Sequence, residues 1–523
     1  MKKFFNKNWI IITIFLLGLS VSWPLFRSGY FSHQDDLQVI RLVEMRKCFS
    51  DLQIPCRWVP DMGWGNGMPL FNFYGVFTYY LGGIISFVTG YLVASKILFF
   101  VGLVAGSFGI YLLVKDLWGK YAGLTSAVLY MFAPYKALDI YVRGALAESM
   151  ALTLIPFVLY FGYKKNYRFF VLTLFLFLIT HNIMTIIFLP VIFLWMVYWN
   201  NLKTVISTFA LAFGLSAFFI LPAFLEKGLV QTESLTRFEL DYRANFISVK
   251  QLFLDRVWGY GTSIPGPEGG MNFSIGWPHW ILAFLSVIIL FFNKNKKYIL
   301  FPISCFLLFL FSIFMTHNKS TFIWESFSIL TFFQFPWRFL SLSILSASIL
   351  GGFVIFALKE KFQLYAATFL ILITIILNWS YFKPGEFFNI TEKQKISGEL
   401  WEQQRRGAVL DYLPKTALEP REGASKLDNF NNRSNKFLLN VNVDTETQIE
   451  IPVYYFPNWE VTIDGIKKEV THDNILGRIS VKVPIGQHEI VGKFKNTPIR
   501  TVANTISLLS LVIGVTLWKK HKD

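Results

Sequence analysis

The stretch FFVLTLFLFLITHNIMTIIFLPVIFLWMVYW, residues 169–199, is apolar almost throughout and is interrupted at His181 and Asn182. One crossing of the hydrocarbon core of a bilayer requires a run of about 20 apolar residues. Such runs recur from Trp9 to Trp518, and the chain is 54% hydrophobic and 16% charged. The sequence therefore predicts a polytopic α-helical membrane protein and argues against a soluble globule. A polar pair inside an apolar run is costly unless it faces water or a polar partner, so His181 is a candidate site residue.

The formal net charge is +16, but the lysines and arginines lie in short clusters beside the apolar runs and not on one continuous face. This placement argues against nucleic-acid binding and is typical of membrane topology signals, because cationic loops are retained in the cytoplasm. We therefore predict a multi-pass protein of the bacterial cytoplasmic membrane with both termini in the cytoplasm. The clusters expected to be cytoplasmic are Lys2, Lys3 and Lys7; Lys164, Lys165 and Arg168; Asn293 to Lys297; Lys359 to Lys361; and Lys519 to Lys522.

These charges predict twelve spans if the basic N-terminal segment, Met1 to Phe26, is a retained first helix. In this arrangement Pro69 to Gly90 is a re-entrant or interfacial segment, because its tyrosines suit an interfacial belt. If that segment crosses the membrane instead, the sidedness of the loops up to His181 is reversed, and the sequence leaves both alternatives open. The other eleven spans are expected at 93–114, 121–136, 148–163, 168–181, 183–199, 203–222, 276–292, 298–315, 338–358, 362–382 and 501–518.

The preferred topology divides the chain into a transmembrane part, 1–382, an outer domain, 383–500, and a final helix with a basic tail, 501–523. Polar and apolar residues alternate in several runs of the outer domain, as they do in half-buried strands. Asp464 and Gly465 lie between two of these runs and favour a tight hairpin, because glycine accepts a positive φ. We predict an extracytoplasmic β-sandwich. Four further outer loops are expected at 27–72, 137–148, 223–275 and 316–337.

The three cysteines are too few for a disulfide framework. Cys305 lies inside an apolar run. Cys48 and Cys56 both lie in the first outer loop, where they could form one disulfide or remain as thiols.

The first outer loop contains the sequence Ser32-His33-Gln34-Asp35-Asp36. No glycine or proline follows until Pro55, so a helix beginning near Ser32 is expected. One interpretation is that Ser32 caps this helix and the two aspartates complement its dipole. The other is that the two carboxylates and His33 serve as a general base or as metal ligands just above the membrane. The residues alone leave both interpretations open.

Three motifs carry a resemblance to a known family. The first runs from His33 through Arg41 and Trp58 to PLFNFY, residues 69–74; the others are FPWRF, residues 335–339, and YYFPNW, residues 454–459. Together they make nearly the full chain similar to bacterial membrane proteins labelled 6-pyruvoyl-tetrahydropterin synthase-related and to YfhO-like proteins. The chain lacks the zinc-binding histidine set of the soluble pterin enzyme. The helical part resembles the GT-C superfamily of polyprenyl-phosphate-dependent glycosyltransferases.

This resemblance implies a GT-C-like fold of about twelve helices and an inverting sugar transfer from a polyprenyl-phosphate carrier at the outer face of the membrane. The usual base is an acid in the first outer loop, which corresponds here to Asp35 and Asp36. A second loop acid would be Glu148. The phosphate leaving group requires positive charge, and Arg143 lies on the expected side. The remaining candidates for substrate binding are His33, Arg41, His181 and Arg338.

Other roles compete with these assignments. An arginine at a membrane boundary is often an anchor that extends to the headgroups, and this interpretation is favoured for Arg338 and for Glu226-Lys227. Asp35, Asp36 and Glu148 could hold Mg²⁺ or Mn²⁺, because hard cations prefer carboxylate oxygens. A metal-free reaction is the alternative. Gly259 to Gly270 would be a flexible cover or a simple connector.

The expected partners are membrane lipids, a polyprenyl-phosphate-linked sugar donor, and an acceptor that is an envelope glycan, lipid or protein. Two other functions stay open at this point. The protein could be a flippase or transporter of lipid-linked saccharides, although no internal repeat is visible. It could also be a non-catalytic cell-envelope scaffold. No phosphate-binding loop of the form GxxxxGK[ST] is present, which argues against an ATP-driven pump.

Overall fold

A computed structural model describes residues 2–264, 270–292, 299–407, 412–420 and 429–520. The predicted basic loop Asn293 to Lys297 and part of the glycine-rich segment near 265–269 lie outside these ranges. The described chain divides into two compact units. The first unit comprises residues 1–36, 96–210 and 235–389, and the second comprises 37–95, 211–234 and 390–523. Both units are therefore assembled from separate stretches of the chain.

The longer helices have the following bounds: α1, Lys2–Val21; α2, Gln38–Ser50; α3, Phe77–Thr89; α4, Tyr91–Trp118; α5, Lys120–Met131; α6, Leu146–Tyr163; α7, Tyr167–Leu178; α8, Asn182–Trp199; α9, Leu202–Leu225; α10, Trp277–Phe292; α11, Leu300–Thr316; α12, Leu340–Phe356; α13, Glu360–Asn378; α14, Gly398–Arg406; and α15, Pro498–Lys520. Most are apolar, as the composition predicts.

Seven of the described helices are long and apolar enough to cross a membrane, and an eighth span results if α11 is counted with the short helical turns after it. The expected number of twelve is therefore not reached. Four expected spans, 1–26, 121–136, 168–181 and 276–292, contain shorter apolar helices, and in the first of them the apolar part of α1 is Asn8–Val21. α5 and α7 have 12 residues each, or about 18 Å of rise, against about 30 Å of hydrocarbon. α5 ends at Met131 because the chain becomes extended at Ala133 before Pro134.

The segment Pro69 to Gly90 forms one short turn and α3, which has 13 residues. Contacts on either side of this segment determine whether it crosses. The Lys96 ammonium, near the start of α4, donates to the carbonyl of Arg27 at 2.7 Å, and the rings of Phe26 and Phe100 lie 6.0 Å apart. The chain therefore begins α4 on the side where α1 ended. This geometry agrees with the re-entrant or interfacial alternative.

The opposite ends of two spans in the first unit also meet. Asp116, near the end of α4, forms an ion pair with Lys164, at the end of α6, at 3.0 Å. Lys115 approaches the same carboxylate at 3.9 Å. The ends of α4 and α6 thus lie beside one another, and the start of α6 lies at the opposite end of that helix.

The predicted helix start at Ser32 is wrong. Tyr30–Phe31 forms a strand, β1, which pairs with β2, Phe387–Phe388, and α2 begins only at Gln38. The Ser32 hydroxyl accepts from the backbone N–H of Glu386 at 2.9 Å, so it caps no helix. Asp35 and Asp36 precede α2 and do not lie in its first turn.

The second unit contains the disulfide and the large β region. Cys48 and Cys56 form a disulfide, whereas Cys305 is a buried free thiol in the first unit. Strands of the β region are all antiparallel and form a five-stranded sheet, β3-β4-β9-β6-β7, and a two-stranded sheet, β5-β8. Their bounds are β3, Phe430–Asn432; β4, Lys436–Val443; β5, Thr447–Tyr454; β6, Trp459–Ile463; β7, Ile466–Lys468; β8, Arg478–Val483; and β9, Gly486–Phe494.

Side chains of both sheets share one apolar core, which includes Phe437, Ile451 and Val481. The predicted hairpin is confirmed. Asp464 and Gly465 connect β6 to β7 and have φ angles of 50° and 81°, the positive values of a two-residue turn that matches strand twist. The alternating pattern therefore located an antiparallel β region near the C-terminus.

Candidate functional site

The site begins at an irregular connection between α5 and α6 in the first unit. Pro134 starts a single helical turn, which continues as one turn of π-helix from Leu138 to Arg143. Gly144 then takes a left-handed conformation, φ 67°, and α6 begins at Leu146. Single π-helical turns inside helical segments are frequent at functional sites. This one brings three charged residues, at 139, 143 and 148, into contact.

Four buried charged residues form what we call the arginine–carboxylate cluster: Asp139, Arg143, Glu148 and Arg338. Arg143 donates to Asp139 and, at 3.0 Å, to Glu148. Arg338 donates to Glu148 at 3.3 Å. The Tyr135 hydroxyl adds a third donor to Glu148, at 2.5 Å. The cluster contains two guanidinium groups and two carboxylates, so it is neutral when all four are ionised.

The FPWRF motif, residues 335–339, supplies one wall of this cluster. The Trp337 ring lies under the Arg143 guanidinium at 4.4 Å. The Phe335 ring lies 5.0 Å from the Arg338 guanidinium. Arg338 also donates to the carbonyl of Phe333 at 2.7 Å and to the Gln334 side chain at 3.1 Å. Because Arg338 is buried and paired, the membrane-anchor interpretation of this arginine is wrong.

The acid-bearing segment, His33 to Asp36, lies along the end of the π-helical turn. The backbone N–H of Gln34 donates to the carbonyl of Val142 at 2.9 Å, and that of Asp35 donates to the carbonyl of Arg143 at 2.8 Å. Two consecutive backbone hydrogen bonds fix the position of the segment. The structure therefore brings Asp35 and Asp36 next to Arg143, as the sequence predicts.

His33 is held between this segment and the π-helical turn. Its side chain is fully buried, and its Nε2 lies 3.9 Å from Oδ1 of Asp36, whose side chain is 46% exposed. The rings of Phe31 and Phe99 lie 5.2 Å and 5.8 Å from the imidazole. On the remaining side, a Cβ added at Gly144 would lie 2.4 Å from His33 Nδ1. Glycine is therefore required at 144 by both its φ and its neighbour.

Two other predicted residues have different surroundings. His181 caps α8, where its Nδ1 accepts from the Met184 N–H at 3.2 Å, and its imidazole lies within electrostatic range of Glu148. Arg41 belongs to the second unit, where its guanidinium contacts the Tyr74 ring at 4.6 Å and the Tyr79 hydroxyl at 3.4 Å. His181 is thus associated with the arginine–carboxylate cluster, and Arg41 with an aromatic pair.

Burial perturbs the acids of the cluster. Burial and the charge of Glu148 hold the pKa of Asp139 well above its usual range, in spite of the Arg143 partner. Burial alone would lower the pKa of Arg143, but the carboxylates of Glu148 and Asp139 outweigh it and raise that pKa. Burial therefore opposes the ionisation of Asp139, and a proton on this carboxyl would leave the cluster with a net positive charge.

The proposed metal ligands do not form a ligand set. Among the residues that the structure describes, no three His, Cys, Asp or Glu side chains are grouped so that they could hold a metal ion. Glu148 is buried and accepts from three protein donors, Tyr135, Arg143 and Arg338. The oxygens of Glu148 are thus directed to protein groups. Asp35 and Asp36, at the edge of the arginine–carboxylate cluster, are the other candidate metal ligands.

A second buried group of charges lies in the second unit, and we call it the Glu226 cluster. Glu226 accepts from Thr497 at 2.6 Å, from Asn72 at 2.8 Å and from Arg500 at 2.9 Å. Arg57 donates to Asn72 at 2.8 Å, so the cluster contains two guanidinium groups and one carboxylate. The anchor interpretation of Glu226 is wrong, because this carboxylate is buried among these partners.

Sequence reasoning missed one member of the arginine–carboxylate cluster, Asp139, and two side chains that contact it, Tyr135 and Gln334. Asp139 carried a usable signal, because it precedes Arg143 by four residues and one helical turn brings such pairs together. Tyr135 and Gln334 carried none. Gln334 joins the cluster through Arg338, and Arg338 reaches Glu148 across 190 positions of sequence.

The apolar helices and the antiparallel sheets define a multi-pass helical membrane protein with a β region near its C-terminus. No protein-family model and no curated protein matches the chain. Among solved structures, the chain is similar to two proteins at low sequence identity. Arabinofuranosyltransferase AftD from Mycobacteria matches with a TM-score of 0.44 and 14% identity over 74% of this chain and 28% of that one.

The oligosaccharyltransferase of Archaeoglobus fulgidus in its apo form matches with a TM-score of 0.44 and 12% identity, over 81% of this chain and 62% of that one. The same enzyme tethered to an acceptor peptide containing the NVT sequon matches with a TM-score of 0.44 and 13% identity. The chain therefore spans less than two thirds of the length of each of these proteins.

Proposed function

We propose that the protein is a membrane glycosyltransferase that moves a sugar from a polyprenyl-phosphate carrier to an acceptor at the outer face of the membrane. The observation that supports this most directly is the hydrogen bond from the Asp35 N–H to the Arg143 carbonyl, at 2.8 Å. It fixes a partly exposed acid pair beside buried arginines, and sugar transfer from a phosphate requires both a base and positive charge. The resemblance of the helical part of the sequence to the GT-C superfamily supports the same reaction.

The chemistry assigns one role to the acid pair. A carboxylate of Asp35 or Asp36 accepts the proton of an acceptor hydroxyl while the hydroxyl oxygen attacks the anomeric carbon. The bond between that carbon and the phosphate oxygen breaks, and the polyprenyl phosphate leaves with the electron pair. The configuration at the anomeric carbon is inverted. General-base assistance of this kind contributes about two to four orders of magnitude in rate.

The arginine–carboxylate cluster stabilises the leaving phosphate in this proposal. A neutral cluster offers a phosphate little net attraction, but the cluster becomes positive when Asp139 is protonated, and the raised pKa of Asp139 favours that proton. Arg143 and Arg338 then face the phosphate with one carboxylate, Glu148, holding them in place. Charge of this kind, fixed before the reaction, stabilises a developing anion without reorganisation.

His33 serves as a positioning residue. Its side chain is buried against Gly144 and between aromatic rings, so it holds the acid-bearing segment on the π-helical turn. The approach of Nε2 to Asp36 at 3.9 Å sets the direction of that carboxylate. In this proposal His33 positions the base and does not contact the sugar.

The proposed orientation places the acid-bearing segment outside the cytoplasm and both termini inside. The positions of the basic clusters support it. So does the disulfide between Cys48 and Cys56 in the first loop, because disulfides persist in oxidising compartments such as the periplasm and the cell surface. The acceptor would then be an envelope glycan, lipid or protein. A dependence on Mg²⁺ or Mn²⁺ through Asp35 and Asp36 is tested by adding a chelator to the assay.

The experiment that tests the function uses the purified full-length protein in liposomes. It is incubated with a panel of polyprenyl-phosphate sugars and candidate acceptors, and lipid and acceptor products are identified by mass. We expect the acceptor mass to increase by one sugar residue while free polyprenyl phosphate appears. Movement of an intact lipid-linked sugar between leaflets without a new bond would overturn the proposal in favour of a flippase.

A further inference from the structure

The chain turns sharply where α11 ends. α11 stops at Thr316, and the following turn and short helix, Asn318–Ser326, run at 92° to it. A second helical turn, Ser328–Phe333, continues from there. We call residues 318–333 the in-plane segment, because a helix perpendicular to a membrane span runs along the membrane surface.

The in-plane segment has two different faces. Trp324 and Phe333 are buried, and the Trp324 indole N–H donates to the Ser320 hydroxyl at 3.1 Å. The other face exposes large apolar side chains within eleven positions: Phe322, 62% exposed; Phe327, 59%; Ile329, 46%; and Phe332, 38%. Contiguous exposed apolar side chains of this kind mark a site of contact with another apolar surface.

The apolar face is continuous with the lipid-facing side of α11. That helix exposes Leu307, Leu310, Phe311 and Phe314 along its length, as a span in contact with acyl chains does. At the bend the rings of Phe314 and Phe322 lie 6.2 Å apart, with no polar side chain needed to join them. The same apolar surface thus passes from the span onto the in-plane segment.

We propose that the in-plane segment rests on the bilayer, with Phe322, Phe327, Ile329 and Phe332 inserted among the lipids at the level of the headgroup and acyl boundary. Exposed aromatic and aliphatic side chains on a segment parallel to the membrane are the features of an interfacial anchor. Lys319 and Glu325 lie on the same segment and are exposed, so they would reach the headgroups.

This contact has a consequence for the arginine–carboxylate cluster. The in-plane segment ends at Phe333, whose carbonyl accepts from Arg338 at 2.7 Å, and the next residue, Gln334, accepts from the same guanidinium at 3.1 Å. Gln334 has a φ of 63°, an uncommon backbone conformation for a side chain of this kind. The segment that touches lipid therefore also fixes an arginine of the cluster, at a set depth relative to the bilayer.

The test is independent of sugar transfer, because it measures only the surroundings of single side chains. Cys305 is replaced by serine, and the disulfide-bonded Cys48 and Cys56 are retained. Single cysteines at Phe322, Phe327 and Ile329 are then spin-labelled in liposomes of phosphatidylethanolamine and phosphatidylglycerol. A label at Phe314 gives the lipid reference, and one at Lys250, exposed in the outer loop of the same unit, gives the water reference.

Relaxation of each label by oxygen, which concentrates in lipid, is compared with relaxation by a water-soluble nickel complex. We expect the oxygen-to-nickel ratio at 322, 327 and 329 to approach that at 314 and to exceed that at 250. Ratios equal to the Lys250 value at all three positions would overturn the proposal. Protection from both reagents, accompanied by dipolar broadening between labels, would assign the face to a second copy of the chain and would overturn it as well.

Discussion

The two buried charge clusters differ in balance and in access. The arginine–carboxylate cluster pairs two guanidinium groups with two carboxylates, and a segment with a partly exposed acid, Asp36, lies at its margin. The Glu226 cluster contains two guanidinium groups and one carboxylate, and its charged members are all nearly inaccessible. Its charged residues come from three separate stretches of the second unit.

The difference indicates two kinds of use. A closed cluster that joins residues 57, 226 and 500 fastens parts of one unit together, and removal of its single carboxylate leaves buried charge uncompensated. In our proposal, the arginine–carboxylate cluster changes its net charge when Asp139 takes up a proton. The Glu226 cluster should therefore matter most for stability, and the arginine–carboxylate cluster for activity. Four predictions test this separation.

The largest effect is expected at the acid pair. Asp35→Asn and Asp36→Asn remove the candidate bases, and at least one of them should lower kcat for sugar transfer by about two to four orders of magnitude. The matched control is Asp116→Asn, which removes a carboxylate of the first unit at the opposite end of α4. Wild-type turnover in both acid variants would remove the assigned base.

The next largest effect is expected on stability. Glu226→Gln leaves Arg57 and Arg500 buried without a carboxylate and should lower the free energy of unfolding in detergent by about 3–5 kcal/mol. Glu148→Gln removes the carboxylate that Arg338 contacts but keeps Asp139 beside Arg143, so one uncompensated positive charge is left in place of two, and a smaller loss of about 1–3 kcal/mol is expected. Denaturant melts of the two variants measure the difference. An equal or greater loss for Glu148→Gln would contradict the distinction between the clusters.

A third prediction concerns the contact that holds the acid-bearing segment. Gly144→Ala combines a left-handed φ with a Cβ that would overlap His33, whereas Gly119→Ala has a φ of 94° and nothing within 4 Å. Gly119 has a ψ of 169°, a backbone region open almost only to glycine, so we expect Gly119→Ala to cost about 1–3 kcal/mol from backbone strain alone. Gly144→Ala should cost about 1–3 kcal/mol more and should reduce turnover.

The double variant Gly144→Ala with His33→Ala identifies the cause. Removal of the imidazole relieves the overlap, so part of the additional stability loss should return while turnover stays low, because the acid-bearing segment has lost its support. Losses that simply add would show that residues 33 and 144 are not coupled.

The smallest effect is a change in pH dependence. Because the pKa of Asp139 is raised in the folded protein, its protonated form contributes stability at low pH, and that contribution is lost as pH rises through the folded-state pKa. Phosphate binding should weaken over the same range. Asp139→Asn keeps an acceptor for Arg143 without the charge, so affinity for polyprenyl phosphate should become independent of pH there. A decline with pH that persists in this variant would assign the titration to another group.

The parts of this structure that local sequence determines were predicted well. Asp464-Gly465 specifies a hairpin because the turn depends on two adjacent φ angles, and the alternation around it depends on nearest neighbours. The proximity of Asp35 and Arg143 was expected because charge placement assigned both loops to one side of the membrane. The hydrogen bond between their backbones agrees with that proximity, and the side of the membrane stays a prediction. Neither inference depends on which helices are in contact.

The failures share a physical cause, which is dependence on distant residues. Ser32 was predicted to cap a helix, but it bonds to Glu386, 354 positions away. Arg338 and Glu226 were interpreted as anchors because their buried partners, Glu148 and Arg500, lie 190 and 274 positions away. Hydropathy gave the positions of apolar runs but not the points where each helix ends, so the number of spans was overestimated.

The central claim is that the acid-bearing segment faces the outside and forms the binding site for the carrier phosphate. Asp36→Cys tests it directly, because Cys305 is buried and Cys48 and Cys56 are disulfide-bonded, so the introduced thiol is the one open to reagent. Intact cells are treated with a membrane-impermeant maleimide, with and without added polyprenyl phosphate. We predict labelling from outside that slows when the phosphate is present. Labelling only after permeabilisation, or at a rate that saturating phosphate leaves unchanged, would contradict the account.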